Sequence, residues 1–152
     1  NVHSLFGLGG KDTLKGGAGI DMLSGGYGAD KLTGAGGTDL FRFDVLETSA
    51  NKDTITDFLH ADGDRLQLDS SAFTGLAGAA GGGGIFGSGL LSAHPEMFHL
   101  GTAAHDADDR LIYDQPTGNL WYDADGTDAE AQVLVAVLSN HAVLGAGDIF
   151  VF

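Results

Sequence analysis

The sequence predicts an all-β protein that begins as a stack of short strands, and two observations support this fold class. Between Gly7 and Arg42 a nine-residue pattern occurs four times in succession, as GLGGKDTLK, GGAGIDMLS, GGYGADKLT and GAGGTDLFR. Each unit opens with several glycines, which favour a tight turn, and closes with three residues that suit a short strand. Only the eighth place is always a large apolar residue, so each unit must stack on its neighbours to bury it.

One aspartate occupies the sixth place of each unit, and we number the units one to four along the chain. These aspartates are Asp12, Asp21, Asp30 and Asp39, and the apolar residues two places later are Leu14, Leu23, Leu32 and Phe41. A carboxylate beside the carbonyl groups of a tight turn supplies the oxygen ligands that Ca2+ prefers. Glycine-rich turns or a flexible linker are the alternative explanation. Four copies in one register favour calcium binding instead.

The units resemble the calcium-binding nonapeptide repeat of the RTX (repeats-in-toxin) family. Units two and three match its motif at every defined place. Units one and four depart from the motif at the second place, Leu8 and Ala35, and at the third place, Gly9 and Gly36. The resemblance implies a parallel β-roll with two units per turn, in which unit one stacks on unit three and unit two on unit four. A calcium ion would lie between each pair of stacked loops.

The resemblance also implies the calcium ligands, which are backbone carbonyls and aspartate side chains. Between units one and three the ligands would be Leu8, Gly10, Asp12, Gly25, Tyr27 and Asp30. Between units two and four they would be Gly17, Gly19, Asp21, Gly34, Gly36 and Asp39. Because the second place contributes a backbone oxygen in the family, a side chain at that place need not remove a ligand.

The nine-residue pattern divides the chain into two predicted segments. Residues 1–43 would form the RTX β-roll, and residues 44–152 would form a mostly antiparallel β region that caps it. Run backwards, the pattern places Leu5 in an apolar eighth place and His3 in the aspartate place of an earlier unit. We therefore expect the chain to begin inside a repeat and to be the end of a longer polypeptide. A disordered tail is the alternative.

The composition restricts the partners of this protein. It has 152 residues, a formal net charge of −14 and no cysteine, so neither disulfides nor thiolate metal sites hold the fold together. The acidic excess argues against binding to nucleic acid or acidic lipid surfaces and favours cations. No stretch approaches the ~20 apolar residues of a transmembrane helix. In a secreted protein, a bound ion is then the expected stabiliser.

Beyond the repeats, the segments DTITDF and DRLQLD are expected to form paired strands that cap the roll. This region resembles the segment that follows the repeats in secreted bacterial metalloproteases and alginate epimerases. The resemblance implies a third calcium site, in which Gly26, Gly28 and Asp30 of the last free loop combine with Asp57 and Asp64. Aspartates that flank strands are, alternatively, solvated turn residues.

Two further strand signals lie near the C-terminus. RLIYD and NLWYD flank residues 115–118 and predict a β-hairpin, and residues 133–138 predict a buried strand. The hairpin's tyrosine and tryptophan side chains could form a sugar-binding face, although aromatics in hairpins more often pack in a core. The glycine- and alanine-rich run at residues 74–91 predicts a loop.

The chain ends on Asp148 followed by four apolar residues through Phe152. This ending resembles the uncleaved C-terminal signal of proteins exported by type I secretion. A last strand in a sheet is the alternative. One segment can serve both purposes, because such a signal is read while the chain is unfolded.

These features favour a calcium-driven folding and secretion module of a larger bacterial protein. Its partners would be calcium ions, the type I secretion apparatus and an upstream catalytic or adhesive domain, and its location would be extracellular. A carbohydrate-binding or adhesive module, similar to the modules of alginate epimerases, is the alternative, and for a polyanionic ligand it requires a basic face. An enzyme is not expected, because the sequence contains neither H-E-x-x-H nor G-x-S-x-G.

Overall fold

A computed structural model describes residues 2–80, 89–127 and 130–152. These residues form two sheets, and their strands are β1 Val2–Phe6, β2 Thr13–Ala18, β3 Ile20–Ser24, β4 Lys31–Gly36, β5 Leu40–Phe43, β6 Asp53–Ile55, β7 Arg65–Leu68, β8 Phe98–Leu100, β9 Leu111–Asp114, β10 Asn119–Tyr122, β11 Val133–Leu138 and β12 Ile149–Val151. Short 3-10 helices span Ser49–Asn51, His60–Asp62, Thr74–Ala79, Leu91–Ala93, Pro95–Met97 and Ala146–Asp148. No helix in these described ranges has the length and apolar character needed to span a membrane.

The four repeat units form a parallel β-roll, as the repeats predict. β1, β3 and β5 pair in parallel in one sheet, and β2 and β4 pair in parallel in the other. The chain passes from one sheet to the other once in each unit, so two units complete one turn. Equivalent places of stacked units lie side by side, and Leu14 is opposite Leu32 while Leu23 is opposite Phe41.

The apolar eighth places form the interior of the roll. Leu23, Leu32 and Phe41 are fully buried, whereas Leu14 in the first turn is half-buried. Side chains alternate between the two faces of a strand, so one apolar residue per short strand covers the inner face of its sheet. The same hydrophobic cluster continues to Val151 near the C-terminus. The roll and the region that follows it therefore share one core.

The segments DTITDF and DRLQLD do not pair with each other, contrary to the prediction. β6 pairs in parallel with β4, and β7 pairs in parallel with β5, so the two strands extend different sheets of the roll. Each strand keeps the end of the repeat unit, an aspartate and an apolar residue two places later: Asp53 with Ile55, and Asp64 with Leu66. Ile55 and Leu66 are fully buried and continue the interior stack. This strand pattern extends beyond the glycine-rich turns on which the prediction relied.

The C-terminal region is mixed rather than mostly antiparallel. The predicted hairpin is confirmed, because β9 and β10 pair antiparallel, and β10 pairs antiparallel with β11. However, β11 pairs in parallel with β6, β12 in parallel with β7, and β8 in parallel with β9. An open sheet edge presents unpaired backbone N–H and C=O groups, and β11 and β12 satisfy those of β6 and β7.

The hairpin's tyrosines pack in the core of the cap. Tyr113 is almost fully buried and its hydroxyl donates a hydrogen bond of 2.6 Å to the carbonyl of Ala142. The hydroxyl of Tyr122 accepts a hydrogen bond of 2.7 Å from the amide of Gly75, and its ring meets Phe73 edge-on. These two side chains therefore hold the cap together and are not available for a sugar-binding face.

The glycine- and alanine-rich run is only partly a loop. Thr74–Ala79 forms a 3-10 helix, and Leu76 within it is fully buried. Residues 81–88 of this run lie outside the described residues.

Candidate metal centre

Two columns of carboxylates run along the roll, one at each edge where the chain turns from sheet to sheet. We call each turn of the roll a layer. In each column the Oδ1 atom of one aspartate accepts a hydrogen bond from the backbone amide of the aspartate one layer earlier. Asp12 N donates to Asp30 Oδ1 at 2.7 Å, and Asp21 N donates to Asp39 Oδ1 at 3.0 Å. The stacking of unit one on unit three and of unit two on unit four is therefore confirmed.

Both columns continue beyond the repeats. Asp30 N donates to Asp53 Oδ1 at 3.0 Å, and Asp39 N donates to Asp64 Oδ1 at 2.9 Å. The first column thus contains Asp12, Asp30 and Asp53, and the second contains Asp21, Asp39 and Asp64. Asp53 was not among the predicted ligands. A sequence signal for it exists: the pattern of an aspartate two places before an apolar residue continues after the glycine-rich turns end.

The column aspartates carry oxygen atoms that no hydrogen bond satisfies. The Oδ2 atoms of Asp12, Asp21 and Asp30 are buried and have no hydrogen-bond partner among the described residues. An ionised carboxylate oxygen buried without a partner is costly, so such an atom calls for an explanation. A bound cation satisfies it directly, and carboxylates with backbone carbonyls are the ligands of a hard ion such as Ca2+. The residues present therefore fit the predicted ion.

The first glycine of each unit makes room for this carboxylate. A Cβ atom added to Gly16 would lie 2.5 Å from Asp21 Oδ2, and a Cβ at Gly25 or Gly34 would collide with the aspartate of its own unit in the same way. Each loop thus closes tightly on its own aspartate. Glycine at this place is required by the approach of the carboxylate to the backbone.

The predicted carbonyl ligands lie in loops that touch each other. Tyr27 N donates to the carbonyl of Leu8 at 2.9 Å, and Gly10 N donates to the carbonyl of Tyr27 at 2.8 Å. In the other pair, Gly19 N donates to the carbonyl of Gly36 at 2.7 Å, and Gly17 is paired with Ala35. The remaining predicted ligands Gly25 and Gly34 approach the backbone of Gly7 and Gly16, respectively. Both predicted sets are thus brought together in adjacent layers.

Leu8 and Ala35, the residues at the second place of units one and four, have left-handed backbone conformations although they are not glycine. Leu8 has a φ of 74° and Ala35 a φ of 78°, close to the 84° of Gly26 at the same place in unit three. Both side chains are exposed. The departures from the family motif at Leu8 and Ala35 therefore preserve the loop geometry at the cost of backbone strain.

The structure corrects the third predicted ligand set, which combined Gly26, Gly28 and Asp30 with Asp57 and Asp64. Both of these acids lie on the loop between β6 and β7, which stacks on unit four and not on unit three. The reason is that consecutive loops alternate between the two edges of the roll.

Asp57 and Glu47 close the loop stacks through hydrogen bonds. Asp57 accepts from the amides of Gly34 at 3.0 Å and Ala35 at 2.8 Å. The loop of unit three is instead covered by the segment between β5 and β6, where Glu47 Oε2 accepts from Gly28 N at 3.0 Å. These carboxylates take the place of the next layer's acceptors, because no further repeat follows.

Burial perturbs three of the column carboxyl groups, those of Asp53, Asp39 and Asp64. Desolvation raises the pKa of Asp53 from 3.8 to about 7 and that of Asp39 to about 6, and it also raises the pKa of Asp64. Hydrogen bonds from backbone amides oppose the shift, and neighbouring carboxylates add to it. Without an ion, burial therefore makes the charged form of these carboxyl groups less favourable.

One family model and solved structures match this chain. The family model for the RTX calcium-binding nonapeptide repeat matches residues 6–41 in four copies. A search of curated proteins gives no match. Among solved structures, the chain is similar to the solution structure of the AlgE6R3 subunit from the Azotobacter vinelandii mannuronan C5-epimerase. The sequence identity is 30%, the TM-score is 0.49, and the match covers 97% of this chain and 77% of that chain.

The raised pKa values predict opposite pH dependence with and without calcium. A carboxyl group whose pKa is higher in the folded state stabilises the fold at low pH, and that stabilisation is lost as the pH rises through the folded-state value. In EDTA, the folded fraction should therefore increase from about pH 8 to about pH 5, across the pKa values of Asp53 and Asp39. With excess calcium it should decrease over the same range, because protons compete with the ion.

Asp53→Asn is the control for this measurement, made by circular dichroism and urea unfolding. The amide oxygen of the asparagine still accepts from Asp30 N, so the fold is kept while one titrating group is removed. The variant should show a weaker pH dependence in EDTA. An unchanged pH dependence in this variant would show that Asp53 does not titrate in this range.

Proposed function

The chain belongs to the family of RTX calcium-binding repeat proteins, and from this premise we propose that Ca2+ drives its folding outside the cell. Its repeats bind Ca2+, and the chain is a calcium-binding repeat module, not an enzyme. The chain would remain unfolded where calcium is scarce and would fold where calcium is abundant. A net charge of −14 makes the metal-free chain repel itself, and bound ions relieve that repulsion.

The observation that carries this proposal is the set of buried carboxylate oxygens without partners. One ion between units one and three would contact Asp12 and Asp30, whose free Oδ2 atoms are both buried. A second ion between units two and four would contact Asp21 and Asp39. The loop carbonyls of the adjacent layers would complete each oxygen shell.

The free energy of calcium binding becomes free energy of folding. An ion that binds only the folded state stabilises it by RT ln(1 + [L]/Kd), where [L] is the ion concentration. Extracellular calcium modules have dissociation constants of about 10^-4 to 10^-3 M, so such sites stay nearly empty in a cytosol with little calcium. Adjacent layers share loops and strands, so ordering one layer prepares the next and makes folding depend steeply on calcium.

Asp30→Asn should raise the calcium concentration at which half of the protein is folded by about tenfold or more, equivalent to at least about 1.4 kcal/mol. The asparagine keeps the hydrogen bond from Asp12 N but replaces the unpartnered Oδ2 atom with an amide nitrogen, which does not bind cations. Calcium titrations followed by circular dichroism give the midpoint.

The matched control is Asp106→Asn. Asp106 is exposed and also accepts a backbone hydrogen bond, from Asp108 N at 3.0 Å. Its substitution should leave the calcium midpoint unchanged. Equal midpoints for Asp30→Asn and Asp106→Asn would contradict the assignment of Asp30 as a ligand.

The C-terminal residues are proposed to act as a type I secretion signal before they fold. In the folded protein, Ile149–Val151 is the buried strand β12, paired with β7. Asp148 is 2% exposed and contacts His60 at 2.6 Å and Arg65 at 3.4 Å. The acidic residue and the apolar run are thus hidden in the fold, so an exporter would read them only in the unfolded chain. A catalytic or adhesive domain of the same polypeptide would be exported with them.

Deletion of residues 148–152 should keep the protein inside a cell that carries a matching type I exporter. The control is Leu66→Ala, which weakens the same part of the core by removing the partner of Ile149 but leaves the terminal residues intact. This variant should appear outside the cell in normal amount. Export of the truncated chain in normal amount would rule out the signal and leave these residues as a closing strand only.

A second candidate function is the binding of an acidic polysaccharide, and a basic face favours it. Two lysines, Lys15 and Lys31, are exposed on strands β2 and β4, and the other two, Lys11 and Lys52, lie just before β2 and β6. Lys11, Lys31 and Lys52 line one groove together with the column aspartate Asp30 and with Thr54 and Thr56. Lys15 is exposed on β2, two residues after Thr13, which is paired with Lys31.

These lysines are free to meet an external anion. None of the four forms an ion pair with any of the residues that the structure describes. Three positive charges along one groove of a protein with a net charge of −14 form a local site for a polyanion such as a polyuronate. Calcium in the adjacent columns would add positive charge beside this face.

Lys31→Gln should weaken the binding of a soluble polyuronate in saturating calcium by about two- to fivefold, as expected for the loss of one exposed ion pair. The affinity of the unmodified protein should fall with added salt. The control is Ser92→Glu, which changes the net charge equally at an exposed position of the cap and should have a smaller effect. An affinity that changes neither with added salt nor in Lys31→Gln would contradict this function.

A further inference from the structure

A cluster of two histidines and one aspartate lies far from the calcium loops, at the outer edge of the seven-stranded sheet. His99 is on the edge strand β8, and His105 and Asp109 are on the segment that connects β8 to β9. One ligand atom from each side chain lies within 4.8 Å of the other two. This arrangement is unlike the all-oxygen loops of the roll.

The aspartate of this cluster fixes the shape of the connecting segment. Asp109 is 4% exposed, and its Oδ2 atom accepts hydrogen bonds from His105 N at 2.6 Å and from Asp106 N at 3.0 Å. The His99 Nδ1 atom is 4.0 Å from the same oxygen. The segment is therefore folded around a buried carboxylate that lies close to both histidines.

The two imidazole rings lie face to face. Their centroids are 5.3 Å apart and their planes differ by 12°. His105 Nδ1 lies 3.3 Å from Asp106 Oδ2, and this contact leaves the other ring nitrogen of His105 available. A carboxylate behind a histidine is the arrangement that orients metal-binding imidazoles. On the other side, a Cβ at Gly101 would lie 2.9 Å from His99 Nε2, so glycine leaves space for that ring.

From these contacts we propose that His99, His105 and Asp109 bind one divalent transition-metal ion of the Zn2+ class. Two imidazole nitrogens and one carboxylate oxygen are a three-residue ligand set that Zn2+ accepts, with water in the fourth position. Ca2+ prefers oxygen ligands only and is the wrong ion for this set. The ligand atoms must close to roughly 3.3 Å from one another for bonds of about 2.0 Å. The exposed side chain of His105 has the freedom to make this movement.

The bound ion would tie strand β8 to the segment that leads into β9. β8 has β9 as its neighbour at the end of the seven-stranded sheet. The metal would close the loop of residues 101–110 and protect this edge. This role is independent of calcium binding in the roll.

The test is a Zn2+ titration of the calcium-saturated protein by isothermal calorimetry, so that the carboxylates of the roll are already occupied. The protein should bind one Zn2+ at this cluster, and His105→Gln should weaken that binding by at least about tenfold. The control is His94→Gln. His94 and Glu96 form an exposed imidazole–carboxylate pair at 3.2 Å but lack a third ligand, so this variant should bind Zn2+ as the unmodified protein does.

A second readout uses Co2+ in place of Zn2+. The visible absorption of Co2+ reports its coordination, and intense bands of a tetrahedral site should form in the unmodified protein and disappear in Gly101→Ala, whose added methyl group displaces the His99 ring. The proposal is overturned if no Zn2+ binds in saturating calcium, or if His105→Gln binds Zn2+ as tightly as His94→Gln does.

Discussion

The fold depends on one repeated contact, in which an aspartate of each layer accepts the backbone amide of the aspartate one layer earlier. This contact uses Oδ1 and directs the second oxygen into a loop whose first glycine has no side chain to block it. The result is a row of buried negative charges at each edge of the roll. A buried charge without a counter-charge opposes folding, so the same contact that sets the layer spacing also creates the requirement for a cation.

The roll and the cap contribute different parts of the hydrophobic core. The interior of the roll receives one apolar side chain per short strand, and glycine-rich loops add little apolar surface, so the repeats alone make a thin core. The cap supplies the remainder: β11 and β12 cover the open edges of β6 and β7, and the cluster of buried residues is continuous from Leu23 to Val151. The acidic columns occupy the two turning edges of the roll, and three of the four lysines directly precede or follow an aspartate of the first column.

The sequence predicted the roll because its signal is periodic: an aspartate, an apolar residue and several glycines recur at fixed places, and stacking brings equal places together. The prediction was wrong where the repeat pattern lost its glycines. Asp53 and Asp64 keep the strand half of the unit without the glycine half, so β6 and β7 were expected to pair with each other. The alternation of loops between two edges, which separates Asp57 from the unit-three loop, follows from tracing the chain through both sheets. The cluster of His99, His105 and Asp109 has no sequence motif and depends on how Asp109 folds one loop.

The most direct test of this account is a crystal structure of the calcium-bound protein with the anomalous signal of the bound ions. The account predicts one ion between the loops of units one and three and one between those of units two and four. Each ion should contact the second carboxylate oxygen of the column aspartates and loop carbonyls at about 2.3 to 2.6 Å. Loops without ions in saturating calcium, or ions whose ligands exclude Asp12, Asp21 and Asp30, would contradict it.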